Sequence, residues 1–99
     1  MSTVRDLSID RSRSVRPNDV KKNDIVVLKD GHSVKVFDNQ RGIIRCVIRE
    51  TIFGGGIDIG SMYIDNWEFM VDLQTKELVP ISLTDDHKKT MKTVRSVFP

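Results

Sequence analysis

From Asp24 onward, apolar positions alternate with polar ones or gather in short runs bounded by Gly, Asn and Asp, which is the spacing of strands. DIVVLK, the pair Asp30-Gly31 and SVKVF predict a hairpin, because Asp-Gly supplies the positive φ that a tight connection needs. DNQRG (38–42) predicts a second turn. RGIIRCVIRETIF is expected as the longest strand, with FGGGIDIG interrupting it before SMYIDNW resumes. In EFMVDLQTKELVPIS, apolar runs on either side of Gln74 to Glu77 predict another hairpin, with Pro80 tolerable on an edge. The last element changes period. Thr84 is placed to cap a helix whose first turn holds Asp85 and Asp86 and whose later residues include Lys88, Lys89, Lys92 and Arg95, matching the helix dipole at both ends. His87, Met91, Val94 and Phe98 then share one side.

This pattern predicts a mainly β fold: a small antiparallel barrel or roll of five to six strands (23–83), a C-terminal helix (84–98) and an extended N-terminal arm (1–22). Within Val20 to Val47, KKNDIVVLKDGHSVKVFDNQRGIIRCV has a strand, a turn and a strand leading to a glycine. In that succession it loosely resembles the SH3-like barrels, including those with a KOW motif. It departs at Asn23, where the resemblance expects a glycine before the first strand, so what it implies is architecture alone.

Parity sorts the longest strand into two rows. Arg41, Ile43, Arg45, Val47 and Arg49 fall on one side; Gly42, Ile44, Cys46, Ile48 and Glu50 fall on the other. The second row is expected to face the core, leaving the arginines outside. There they either pair across the sheet with acids such as Asp38, Asp58 and Asp65, or meet a partner's carboxylates or phosphates. In MYIDNWEFM, strict alternation would put Tyr63, Asp65, Trp67 and Phe69 on one side and Met62, Ile64, Asn66, Glu68 and Met70 on the other. Both sides are partly apolar, more than one core face needs, which points to cover by the helix, the arm or another molecule.

Composition sharpens the fold class. The chain has 99 residues, with 12 Val, 10 Ile and no Ala, so β-branched side chains dominate its apolar content. Charge separates the arm from the body. Residues 1–22 carry six basic side chains against three acidic, residues 23–79 six against nine, and residues 80–99 four against two. A net-negative middle counts against a body that grips nucleic acid. The arm, rich in Ser, Arg and Asp, has too few apolar residues for a core of its own and is expected to be flexible, so that removing residues 1–20 would leave the body folded.

Candidate chemistry is sparse. FGGGIDIG lacks the Lys-Ser/Thr of a phosphate loop and the spacing of a dinucleotide fold; it is expected as a hairpin tip or bulge, or as a place for another backbone to approach, flanked by Phe53 and Ile57. Cys46, His32 and His87 carry no nucleophile signature and no ligand spacing, so neither catalysis, metal nor cofactor is expected. Asp58, Asp65 and Glu68 are not spaced as a calcium loop. One cysteine, no apolar run of membrane length and an N-terminus without a secretory pattern point to a cytoplasmic protein, or host cytoplasm and virion if viral, with no membrane role.

Two functions follow. The first is a non-enzymatic adaptor or assembly protein that binds a protein partner or large complex through its arm (Arg5, Arg11, Arg13, Arg16) and a strand surface built of Arg41, Arg45, Arg49, Phe53, Tyr63 and Trp67. Small proteins of large assemblies, viral and phage particles included, share this layout by analogy. The alternative is a nucleic-acid-binding accessory protein, with the arm's cations and Lys21 and Lys22 along phosphates and the arginine strand (Arg41, Arg45, Arg49) with Tyr63 or Trp67 offering stacking. Partner identity and oligomeric state stay open at this level.

Overall fold

The computed structural model describes residues 7–37, 43–50 and 57–97. Ile25–Leu28 (β1) and Ser33–Val36 (β2) form the expected hairpin, in register Val26 to Val34. Gly31 at the turn takes φ 93°, and Asp30 Oδ1 accepts the His32 amide. Asn23, where the SH3-like resemblance wants glycine, has φ 75°, the left-handed conformation glycine would supply, and asparagine is among the few residues that enter it routinely. Its amide donates to Val36 O, tying the entry of β1 to the end of β2.

Ile44–Glu50 (β3) and Ile57–Tyr63 (β4) pair through seven consecutive positions, Ile44 opposite Tyr63 and Glu50 opposite Ile57. The expected single long strand is therefore two. IDIG belongs to β4 rather than to a hairpin tip, while Phe53 and the three glycines before Ile57 lie outside the described residues. A 3-10 turn at Ile64–Asn66 follows, then Trp67–Asp72 (β5) and Glu77–Pro80 (β6), joined through Lys76 at φ 59°. That turn breaks the alternation expected across MYIDNWEFM: Met62, Ile64 and Trp67 are all buried, whereas strict alternation would separate Trp67 from the other two.

The strand order is β4-β3-β2-β1-β5-β6, one antiparallel sheet of six strands. The mainly β class and the C-terminal helix are as the pattern predicts, but the sheet is open, with β4 and β6 at opposite edges, and the closed barrel is not formed. What occupies the outer edge of β6 is the N-terminal segment. The Asp10 amide donates to Leu78 O, the Leu78 amide to Ser8 O, the Val15 amide to Pro80 O and the Ser82 amide to Val15 O. From residue 7 onward the basic segment is thus laid along the body as a strap, and it continues into a 3-10 turn at Pro17–Asp19.

The sheet has two apolar clusters, one per face. On the first face Val26, Leu28, Val34, Val36, Val47 and Met62 pack with Trp67 and with Val20 from the strap's end. Val20 is fully buried, so cutting the chain at residue 20 would open this core, contrary to the sequence expectation. On the second face Val27, Val71 and Leu78 pack with Ile25, Phe69 and Leu7 of the strap. Asp85–Val97 (α1) is capped by Thr84, whose Oγ1 accepts the His87 amide at 3.1 Å, and it buries Met91. His87 and Val94 are half-buried at the spacing foreseen; Phe98 lies outside the described residues. Near the other end of α1, Arg95 grips Asp65 with two bonds of 2.9 and 2.7 Å and lies 4.9 Å from the Tyr63 ring centre.

Candidate functional site

The two rows of β3 are grouped as parity predicts but inverted. Arg45 and Val47 point into the core and are fully buried, whereas Ile44 is 51% exposed and Ile48 half-buried. The reason lies in what the Arg45 head finds inside. Nη1 donates to Pro17 O at 3.3 Å, Nη2 to Asn18 Oδ1 at 2.6 Å, and the guanidinium sits 5.8 Å from the Trp67 ring centre. A buried cation is tolerable when its donors are satisfied and its stem packs as hydrocarbon. Arg45 is therefore a clasp between the sheet and the strap, and it does not stand outside for a partner. Trp67, 2% exposed, is beneath it.

The remaining expected site residues scatter. Tyr63 is half-buried under Arg95. Arg49 is the register partner of Asp58 across β3 and β4, their side chains lying outside those described, while Asp65 pairs with Arg95. Arg41, Phe53, Asp38 and Arg5 lie outside the described residues. In the strap, Arg13 is engaged by Asp10 and Asp72, and Arg11 and Arg16 are exposed. Hydrogen bonds from the Ser12 hydroxyl and amide, then from Arg13, hold the Asp10 carboxyl below its usual range; Arg13 and the Gln74 and Thr75 amides do the same for Asp72. With Arg45 and Trp67 inside, two groups expected to grip phosphate and stack on bases face away from solvent.

Titratable chemistry does not converge. His32 is exposed beside Asp30, 3.1 Å away. His87 sits on α1, its Nδ1 buried without a hydrogen-bond partner among the described residues, and desolvation followed by the nearby Arg45 charge lowers its pKa against an opposing pull from Asp86. Cys46 is the register partner of Ser61, and the side chain expected in the core lies outside those described. Among the described residues no three His, Cys, Asp or Glu side chains gather as a metal site, and no helix is long and apolar enough to cross a membrane. An open groove of about 220 Å³ beside the strap, floored by Ile9, Val27, Phe69 and Leu78, falls below the roughly 300 to 1,000 Å³ usual for small-molecule sites.

What the inversion leaves on the outside is an apolar row on the β3–β4 hairpin. Ile44 stands opposite Tyr63, and Ile48 opposite Ile59 on one side and Lys35 on the other. This row runs out to β4, beyond which no strand lies among the described residues. IDIGSMY has no Lys, Arg or Pro to shield that edge, Asp58 is its single charge, and its pairing with β3 has no bulge. Parity identified this row as one unit but assigned it to the core because the three arginines lie in the other row; the signal missed is that an arginine stem beside Val47 is itself core material. Compared with known proteins, the chain matches no family model, no curated protein and no solved structure.

Proposed function

We propose that this chain is a non-enzymatic adaptor or assembly module that binds a protein partner through the outward face and open edge of the β3–β4 hairpin. The observation that carries this is Ile44, half-exposed beside an edge strand with no basic residue or proline to guard it. Edge strands are usually blunted because their free N–H and C=O groups template pairing with another chain, and an unguarded one next to an apolar row suits strand addition. The strap takes a structural part in this reading. It closes the other edge, with Arg13 engaged by Asp10 and Asp72 and with Arg11 and Arg16 left exposed.

The test is an Ile44→Glu substitution. Its side chain leaves the core untouched, so stability is expected to change by no more than about 0.5 kcal/mol. Nuclease-treated pull-downs with wild type and variant are expected to differ by loss of a defined protein set. Identical captures with both would remove the hairpin from the function, and material released by nuclease would return it to nucleic-acid binding.

A further inference from the structure

The open β4 edge has a geometry that suits one particular occupant. An antiparallel strand paired to β4 in face-preserving register must align residues of equal parity, since a one-residue slip turns its apolar row to the wrong side. Of such self-pairings, the one centred on Gly60 joins all seven residues of Ile57–Tyr63 to the same seven of a second copy. Ile57 then meets Tyr63 of the partner subunit, Ile59 meets Ser61 of the partner subunit, and Asp58 meets Met62 of the partner subunit. Asp58 is the only charge in the strand, so no like charges are opposed. The outward row of Ile44 and Ile48 continues into its copy across the junction.

Gly60 adds a second observation. A Cβ built there meets nothing within 4 Å, and its φ is not left-handed, so neither crowding nor backbone conformation within one chain calls for glycine. Glycine inside a strand weakens it and commonly marks close approach by another backbone. Growth past two copies is disfavoured, because among the described residues the other sheet edge, β6, is bonded to the strap.

We infer that the chain forms a two-fold dimer by antiparallel β4–β4 pairing about Gly60. This rests on the proposed use of the hairpin as a protein-binding surface and names its partner as a second copy. A seven-residue strand pair with its flanking isoleucines is a small interface, so the dimer is weak and fills only toward high concentration.

The open space at Gly60 supplies the test. A Cβ at Gly60 is accommodated within one chain, and Gly60→Lys and Gly60→Glu put like charges directly opposite at the axis. Sedimentation velocity from low micromolar to near-millimolar concentration is expected to show wild type shifting from monomer to dimer and each variant associating about tenfold more weakly. An equimolar mixture of the two variants should recover the dimer. If either variant folds poorly by circular dichroism, amide NMR shifts of wild type decide: concentration-dependent movement confined to β3 and β4 supports the pairing. Wild type monomeric throughout, or variants that dimerise as wild type does, would overturn it. A monomeric wild type that still captures another protein through Ile44 defeats the dimer alone; one that captures nothing defeats the broader reading too.

Discussion

The two edges of the sheet are built on opposite plans. At β6 the strand is four residues long, ends in Pro80, and is paired along its outer side by the strap through three backbone hydrogen bonds, with a fourth at Ser82 just beyond it. At β4 the strand is seven residues long, regular, and carries neither proline nor a basic residue. The chain invests its N-terminal segment, a buried arginine and an ion pair at Asp72 in closing one edge. Protection of one edge beside exposure of the other is what a protein needs if it is to bind by strand addition without polymerising.

The largest effect on this contrast should come from Arg45→Ala. It removes two hydrogen bonds to the strap turn, the stacking on Trp67 and the volume of the stem, and urea denaturation should show a loss of about 3 kcal/mol. A loss under about 1 kcal/mol would mean that the clasp does not hold the strap. Next is removal of residues 1–16, which spares buried Pro17 and Val20 but strips Leu7 and Val15 from the two apolar clusters. The expected cost is about 1–3 kcal/mol. With both edges open, light scattering should grow without limit in concentration where wild type stops at a small oligomer.

The smallest effects come with pH. His87 has a lowered folded pKa, so the unfolded chain takes up its proton first as pH falls. Stability should be full above the ordinary histidine value of 6.5 and decline as pH drops through it toward the lower folded value, and His87→Gln should flatten that slope in thermal melts. Asp10 and Asp72 also have lowered pKa values; their contribution is present above the ordinary carboxyl value of 3.8 and is lost as pH falls through and below it. Being solvent-exposed, the Asp10-Arg13-Asp72 link should further weaken with added salt, and Asp72→Asn should remove its share of the acid slope.

Local signals in the sequence carried the elements well. Asp30-Gly31, Thr84 with Asp85 and Asp86, and the β5–β6 turn are governed by short-range backbone and capping chemistry, and each appears where its residues indicate. Strand existence over 44–50 follows from β-branched content. The face of that strand does not, because it depends on Pro17, Asn18 and Trp67, all distant in sequence, meeting one guanidinium. The strap's seat is hidden for the same reason: a polar, arginine-rich segment looks unstructured until a sheet edge offers it backbone partners. Glycine before Ile57 suggested an interruption, yet hairpin formation turned IDIG into the strand that ends the sheet. Of the candidate surface, Tyr63 stays half-buried on the hairpin, while Arg45 and Trp67 are buried.

Residue-resolved amide hydrogen exchange compares the two edges most directly. In dilute solution the Leu78 amide, bonded to Ser8 O, should be protected, while alternate amides between Ile57 and Tyr63, those pointing away from β3, should exchange rapidly and gain protection as concentration rises. All seven β4 amides being as protected as Leu78 at the lowest concentration would mean that β4 is already covered in the monomer, and the contrast between open and closed edges would not hold.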